Sequence, residues 1–340
     1  MAFKKRLEFG NFTLTFGSQK VLLDLFEEVV MPSFHEMKYT RQLKGKGEYF
    51  FIDTQVLKLG LDDNNSPIFG LFGRIIKNTK LSREQIFNRD KGLVADKDEL
   101  ETAPSSVFLL ILNNHRLIFC KEVPGAPTIQ NFESTCSLFL RKSHTSFIKK
   151  LVDQNKSDVK QKGIKRITKK TFLEESPFPN LRITPLSDKE TLQNFVDRFQ
   201  KLEKVSIKLL PTNNEDIDND DFWNNLDQTR QNMNSKNARL EFSNSEGLDK
   251  SEAYDQSQTA SALANSSIKF SGYDDDGDSL RGNNEDFNLT VVVDELSSNS
   301  ERASNTLFRE FSRLVKGEVI TLPLVARTTV DKLTRLFNGN

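Results

Sequence analysis

The stretch Val107-Phe108-Leu109-Leu110-Ile111-Leu112-Asn113-Asn114-His115-Arg116-Leu117-Ile118-Phe119-Cys120 decides the fold. An apolar run, two asparagines and a second apolar run describe a strand, a tight turn and a returning strand, because asparagine tolerates a positive φ better than any residue except glycine. The longer run has only six apolar residues, against the roughly 20 needed to span a bilayer. It reads as core. Asn113-Asn114-His115-Arg116 is polar between two apolar strands, so a ligand-binding tip is a possible use of it; a plain hairpin turn is the simpler one.

Upstream, Tyr49 to Leu59, Ile68 to Ile76 and Gln85 to Phe87 also read as strands. Leu7, Phe9, Phe12, Leu14 and Phe16 suggest an opening strand or hairpin broken near Gly10-Asn11, and Ser18 is placed to cap the helix after it. In that helix Leu22, Leu25, Phe26, Val29 and Val30 fall on one stripe, and Pro32 closes it. Downstream, Pro124 and Pro127 end the sheet, and a long helix runs from about Thr128 to Asn155 with Phe132, Cys136, Phe139, Ser143, Phe147 and Leu151 along one side.

The chain restarts near Pro177-Phe178-Pro179. Leu181 to Thr184 reads as a strand, Ser187 with Glu190 fits a capping box, Leu192 to Leu202 is an amphipathic helix, and Val205, Ile207 and Leu209 alternate as a strand. Strand, helix and strand in that length suggest a βαβ-type, ferredoxin-like unit. Further elements are a helix around Phe222 to Met233, a strand Arg239 to Phe242, a helix Ala253 to Leu263, a hairpin of Ile268 to Tyr273 with Asn288 to Val293, and a helix Ala303 to Val315. The expected class is α+β with antiparallel sheets in two parts. Residues 1–155 form a sheet-containing domain ending in a basic helix, 156–176 a basic linker, and 177–340 a C-terminal α/β domain with an acidic surface.

Lys+Arg and Asp+Glu are 48 each, so global charge points to no partner; local charge does. Between residues 141 and 170 stand eleven bases, Arg141, Lys142, Lys149, Lys150, Lys156, Lys160, Lys162, Lys165, Arg166, Lys169 and Lys170, against Asp153 and Asp158. Between Asn213 and Ser300 nineteen acids face six bases. Lys142, Lys149 and Lys156 superimpose within about 40° on a helix, opposite Phe139, Ser143, Phe147 and Leu151. Flexible lysines neutralise phosphates without reading base edges, and nine of the eleven bases are lysine. A solvated helix face and a protein or lipid-headgroup surface are the alternatives. Without Trp or exposed Leu beside the lysines, a membrane-surface helix is disfavoured. The acids are either solvated surface or competitors for the basic segment.

Local catalytic motifs fail one by one. Asp274-Asp275-Asp276-Gly277-Asp278 lacks the first ligand and the closing acid of an EF-hand, so a hairpin turn is the better reading. His144-Thr145-Ser146 has the form of half a two-histidine phosphoesterase, yet neither His35 nor His115 supplies the other half. Glu36-Met37-Lys38 and Asp158-Val159-Lys160 match an acid-x-lysine element without a leading strand-end Asp. Gly70-Leu71-Phe72-Gly73 lacks the third glycine of a dinucleotide loop. Three histidines and two cysteines offer no metal set, and no cofactor is implied. Phenylalanine, 27 of the aromatics, goes to cores, whereas single-strand binders display aromatics beside bases; duplex contact is therefore preferred.

The N-terminal charge of Lys4-Lys5-Arg6 is followed by Glu8, Gly10 and Asn11, not by a signal-peptide core, so a soluble protein of the reducing cytoplasm, without membrane insertion, is expected. The function expected is non-catalytic, sequence-independent nucleic-acid binding through the basic helix and linker, as an accessory subunit in a defence-type system. Two rivals stand beside it: an interaction or assembly subunit, homo-oligomeric or with a partner protein, using the basic/acidic dipole, and a nuclease whose carboxylates meet only on folding.

Overall fold

The computed structural model describes residues 3–17, 20–45, 47–162, 165–210, 216–217, 221–235 and 237–337. In its first part lie β1 (Lys5–Phe16), β2 (Lys20–Val21), a 3-10 turn (Leu22–Leu25), a π turn (Phe26–Val30) and α1 (Met31–Phe34). Then come β3 (Arg41–Leu43), β4 (Gly47–Leu61), β5 (Pro67–Asn88), β6 (Gly92–Thr102), β7 (Ser105–Ile111), β8 (Arg116–Lys121) and α2 (Ile129–Lys162). The middle holds α3 (Lys169–Glu175), β9 (Pro179–Pro185), α4 (Lys189–Asp197), β10 (Lys201–Leu209), β11 (Asp216–Ile217), α5 (Asp221–Asn232) and β12 (Arg239–Ser243). The chain continues through α6 (Lys250–Ser261), β13 (Ser266–Tyr273), β14 (Ser279–Asn283), β15 (Thr290–Val293), α7 (Ser300–Lys316), β16 (Leu324–Val325) and α8 (Arg327–Phe337).

The fold is α+β with antiparallel sheets. The large sheet runs β15-β1-β8-β7-β5-β4-β3, with β2 and β9 also on β1 and β6 on β5; the small one runs β12-β10-β13-β14. The β7–β8 hairpin explains why Val107 to Leu112 is apolar without interruption. Phe108, Leu110 and Leu112 join the core that also holds Phe132, Cys136 and Phe139 of α2. Val107, Leu109 and Ile111 join a second core with Leu307, Phe311 and Leu314 of α7. Antiparallel sheets commonly leave one face to water and alternate; here helices cover both faces, so the strand is apolar at every position from Val107 to Ile111. A third core fills the space between the small sheet, α4 and α6.

Several expectations change on folding. The residue with positive φ in the β7–β8 turn is His115, at 56°, and not an asparagine. That tip is buried: Asn113 Oδ1 accepts the Phe69 N–H at 2.9 Å, which removes it as a solvent-facing ligand loop. Gly10-Asn11 does not break β1; a Cβ at Gly10 would stand 3.0 Å from Ile183 Cγ2, so glycine admits β9 alongside. Pro32 lies within α1 and does not end the helical stretch, since a proline in a first turn forfeits no bonded N–H. Ser18 lies outside the described residues. The glycines at 70 and 73 sit inside β5, where a Cβ would collide with Leu59 and Leu109, or with Phe108 and Thr54; their role is packing.

In the second half β9 and β10 flank α4 but belong to different sheets, so the strand-helix-strand stretch bridges the sheets without forming a ferredoxin-like unit. Asp188, one residue after the expected cap, accepts the Thr191 N–H at 2.7 Å, while Ser187 bridges to Asn288. β13 pairs with β14, and Asp274 to Asp278 is the turn between them; β15 pairs with β1. The large sheet thus takes strands from both sides of the expected 156–176 linker. That linker is itself helical at both ends: α2 continues to Lys162, supported by Lys156–Asp153 and Lys162–Asp158 pairs, and α3 follows.

Candidate nucleic-acid interface

α2 starts at a reciprocal cap: Asn131 Oδ1 accepts the Thr128 N–H at 3.1 Å, and Thr128 Oγ1 accepts the Asn131 N–H at 3.2 Å. Its 34 residues make a rod of about 51 Å at 1.5 Å per residue. Phe132, Thr135, Cys136, Phe139, Leu140, Ser143 and Ile148 are buried, and Phe147 packs against the same core. Glu133 ties the helix to β9 by accepting the Ile183 N–H at 3.2 Å. One face is fixed by the core.

The opposite face carries the charge. At 100° per residue Lys142, Lys149, Lys156 and Lys160 fall within about 40° of one another, a stripe about 27 Å long. All eleven bases from Arg141 to Lys170 are exposed. Lys156, Lys162 and Lys170 pair with Asp153, Asp158 and Glu174 on their own helices. Lys142 donates to the Thr40 carbonyl at 3.3 Å and lies over the Tyr39 and Phe139 rings. Among the described residues Arg141, Lys149, Lys150, Lys160, Lys165, Arg166 and Lys169 form no ion pair.

The segment between the helices is anchored. Asn155, buried although it follows the last well-packed turn, accepts the Ile167 N–H on its Oδ1 at 2.8 Å. Thr168 caps α3 by accepting the Thr171 N–H at 3.2 Å, and Phe172 is buried. Lys165, Arg166, Lys169 and Lys170 therefore stand on a chain held beside α2. Lys38 extends the head of the stripe: its ammonium lies 5.4 Å from the Tyr39 ring that Lys142 also faces at 5.8 Å. The sequence signal for it was the basic and aromatic cluster Lys38-Tyr39-Thr40-Arg41, far from the basic segment in number.

His144 is not part of this face. It is buried between Phe16 and Phe178, and its Nε2 donates to the Ser176 carbonyl at 2.8 Å. Burial, aided by the charge of Lys20 and opposed by the bond to Ser176, holds its pKa below the ordinary value. Asp158 lies on α2 paired to Lys162, and Glu36 to Lys38 form a turn, so neither acid-x-lysine stands at a strand end. Among the described residues no group of three or more His, Cys, Asp or Glu side chains is arranged to hold a metal ion.

The expected acidic loop Asn213 to Asp221 lies largely outside the described residues. A cleft of about 410 Å³ opens between the small sheet and α6, lined by Val205, Ile207, Leu240 and Phe242 with Asp249 and Glu252. Its carboxylates disfavour phosphate. Both cysteines are buried thiols, Cys120 pushed up to about 12 chiefly by burial, which leaves neither as a nucleophile. Among the described residues no helix is long and apolar enough to cross a membrane.

A family model described as a domain of unknown function, DUF4747, matches residues 126–315, more than half of the chain. The chain belongs to this family. No curated protein matches it. The DUF4747 span opens just before α2 and closes within α7, so it holds the whole basic segment and the small sheet. β1, β7 and β8, on which α2 is packed, precede it.

Proposed function

We propose that the chain is a non-catalytic, sequence-independent nucleic-acid binder that contacts the backbone of a duplex through α2, α3 and the segment joining them. The observation that carries the reading is the set of seven exposed bases, Arg141, Lys149, Lys150, Lys160, Lys165, Arg166 and Lys169, that have no ion-pair partner among the described residues, on a support fixed to the core by its other face. Lysines on a rigid rod neutralise phosphates and release their counterions, and they carry no base-edge code. Aromatic stacking is a poor fit, because Phe147 and Phe172 of this segment pack inward.

The reading includes a reducing cytoplasmic setting, in which the thiols of Cys120 and Cys136 stay unbridged, and an accessory part in a larger system such as defence against foreign DNA. Replacing Lys149, Lys150, Lys165 and Arg166 with Glu tests it. Fluorescence anisotropy with a random-sequence duplex should show binding by the wild type and none by the variant, with unchanged circular dichroism. Equal affinity in the two proteins would remove the basic segment from any binding role.

A further inference from the structure

The outer half of β5 and all of β6 form a two-stranded arm that leaves the large sheet. β4 and β7 pair with β5 only as far as Asn78 and Ile76, and from Thr79 to Asn88 its partner is β6. Residues 79–91 are exposed almost throughout. A lone two-stranded ribbon is marginally stable in water, and its free edges invite pairing.

One face of this arm is apolar at both ends. Opposed residues share a face, as do alternate residues of a strand, so Leu81, Arg83, Gln85 and Phe87 line one side with their partners Leu100, Asp98, Ala95 and Leu93, across a register shift between Arg83 and Gln85 that adds one residue to β6. Leu81, Leu100, Phe87 and Leu93 are 58%, 64%, 73% and 72% exposed. Together they leave on the order of 400–500 Å² of apolar surface open on each arm. The charges do not choose an oppositely charged partner: between residues 79 and 102 five bases stand with six acids, and many are paired within the arm, Arg83 with Asp96 and Asp98, Lys80 with Glu99. Nucleic acid is therefore a poor occupant.

The two apolar pairs stand at the ends of this face, with the polar positions between them. From base to tip the face reads apolar pair, polar pair, Gln-Ala pair, apolar pair, so an inverted copy brings Leu81 and Leu100 against Phe87 and Leu93 and sets Arg83 beside Gln85. That is the self-complementarity a two-fold contact demands, in which one patch meets itself. Two arms face to face cover about 1,000 Å², the lower bound for a specific interface. We infer that the chain forms a two-fold dimer in which the β5–β6 arms of two copies pack antiparallel through this face.

Sedimentation velocity of the full chain without nucleic acid tests the inference. The wild type should pass from monomer to dimer with rising concentration up to about 100 μM, and should still do so near 1 M salt, where contacts between exposed charges are screened. Phe87→Ser with Leu93→Ser should weaken the dimer on the order of a hundredfold or more, with circular dichroism unchanged; Leu81→Ser with Leu100→Ser should do the same from the other end. The glutamate variant of the basic segment should dimerise as the wild type does. A wild-type chain that stays monomeric throughout, a dimer untouched by both serine pairs, or one lost in salt but not by the serines would overturn the inference. Loss of duplex binding in the serine variants of a monomeric protein would give the arm to nucleic acid instead.

Discussion

The β7–β8 hairpin and the β5–β6 arm are built alike and end in opposite surroundings. Each is an antiparallel pair of strands, the first apolar from Val107 to Leu112 and from Leu117 to Cys120, the second carrying five Leu, Ile and Phe residues among eleven charges between Thr79 and Thr102. In the first, helices cover both faces and even the turn is buried; in the second, water reaches both faces from Thr79 outward. Whether a face is covered depends on the elements that pack over it, here α2, next in the chain, and α7, about 180 residues on, and on where the neighbouring strands stop. α2 repeats the contrast within one element, since its buried side is read from phenylalanine spacing and its free side from lysine spacing.

The sharpest way to break this comparison is to truncate one phenylalanine in each hairpin. Phe108→Ala, fully buried against Phe34, Phe51 and Phe132, should cost about 3–5 kcal/mol. Phe87→Ala, on the exposed arm, should cost the monomer less than about 0.5 kcal/mol. Urea unfolding of dilute protein measures both, and similar losses would mean that the arm is packed in the monomer.

A second test probes how the two cores are joined. Arg74, buried in β5, meets Asp53 at 2.6 Å and Glu122 at 3.2 Å and donates to the Ser298 carbonyl at 3.0 Å, holding the segment before α7 to the sheet. Arg74→Ala leaves Glu122 with Ser105 alone and should cost about 3 kcal/mol, most of it from stranded carboxylate charge. Arg74→Lys should recover only part of that, because an ammonium cannot reach both carboxylates and the carbonyl in the same fork.

Much of this was legible in the sequence, and the misses share a cause. The 3.6-residue stripes of α2, α4 and α7 and the two runs of β7 and β8 needed only local pattern. The arm did not announce itself: Gln85 to Phe87 reads as a short strand because Lys80 to Glu84 and Asp96 to Glu101 are charged, as an exposed ribbon permits on both faces. β15 looked like the partner of β13 because it follows in sequence and alternates similarly; the short Asp274 to Asp278 turn let β14 take that place. The eleven bases were found by counting. Which of them have local partners depended on helix geometry, and the contact of Lys142 with Thr40 crosses 102 positions.

A third prediction concerns pH. Burial lowers the His144 pKa, so below the ordinary value of about 6.5 the unfolded chain takes up a proton there that the folded chain refuses. The stabilisation by neutral His144 is therefore complete above that value and is lost as pH falls through the lowered one. Glu8 and Glu133, raised mainly by burial, gain protons on folding and act in the opposite sense, so the test is a difference. From pH 7.5 to 5.5, His144→Gln should lose less stability than the wild type. A parallel decline in thermal melts of the two would contradict it. A smaller effect is expected from Asp274, Asp275, Asp276 and Asp278 changed to Asn: duplex affinity should stay within about twofold, because exposed charges beyond about 8–10 Å are screened at ordinary salt. A several-fold gain would make those acids competitors for the basic segment.

The salt dependence of duplex binding tests the central claim most directly. If the seven bases without an ion-pair partner among the described residues meet phosphates, a plot of log K against log salt should fall with a slope of about −6, near −0.9 for each contact. Substituting Lys149 alone with Ala should make the slope shallower by about one unit, equally for unrelated duplex sequences. A flat plot, or a slope that Lys149→Ala and the fourfold glutamate variant leave unchanged, would contradict backbone binding by α2.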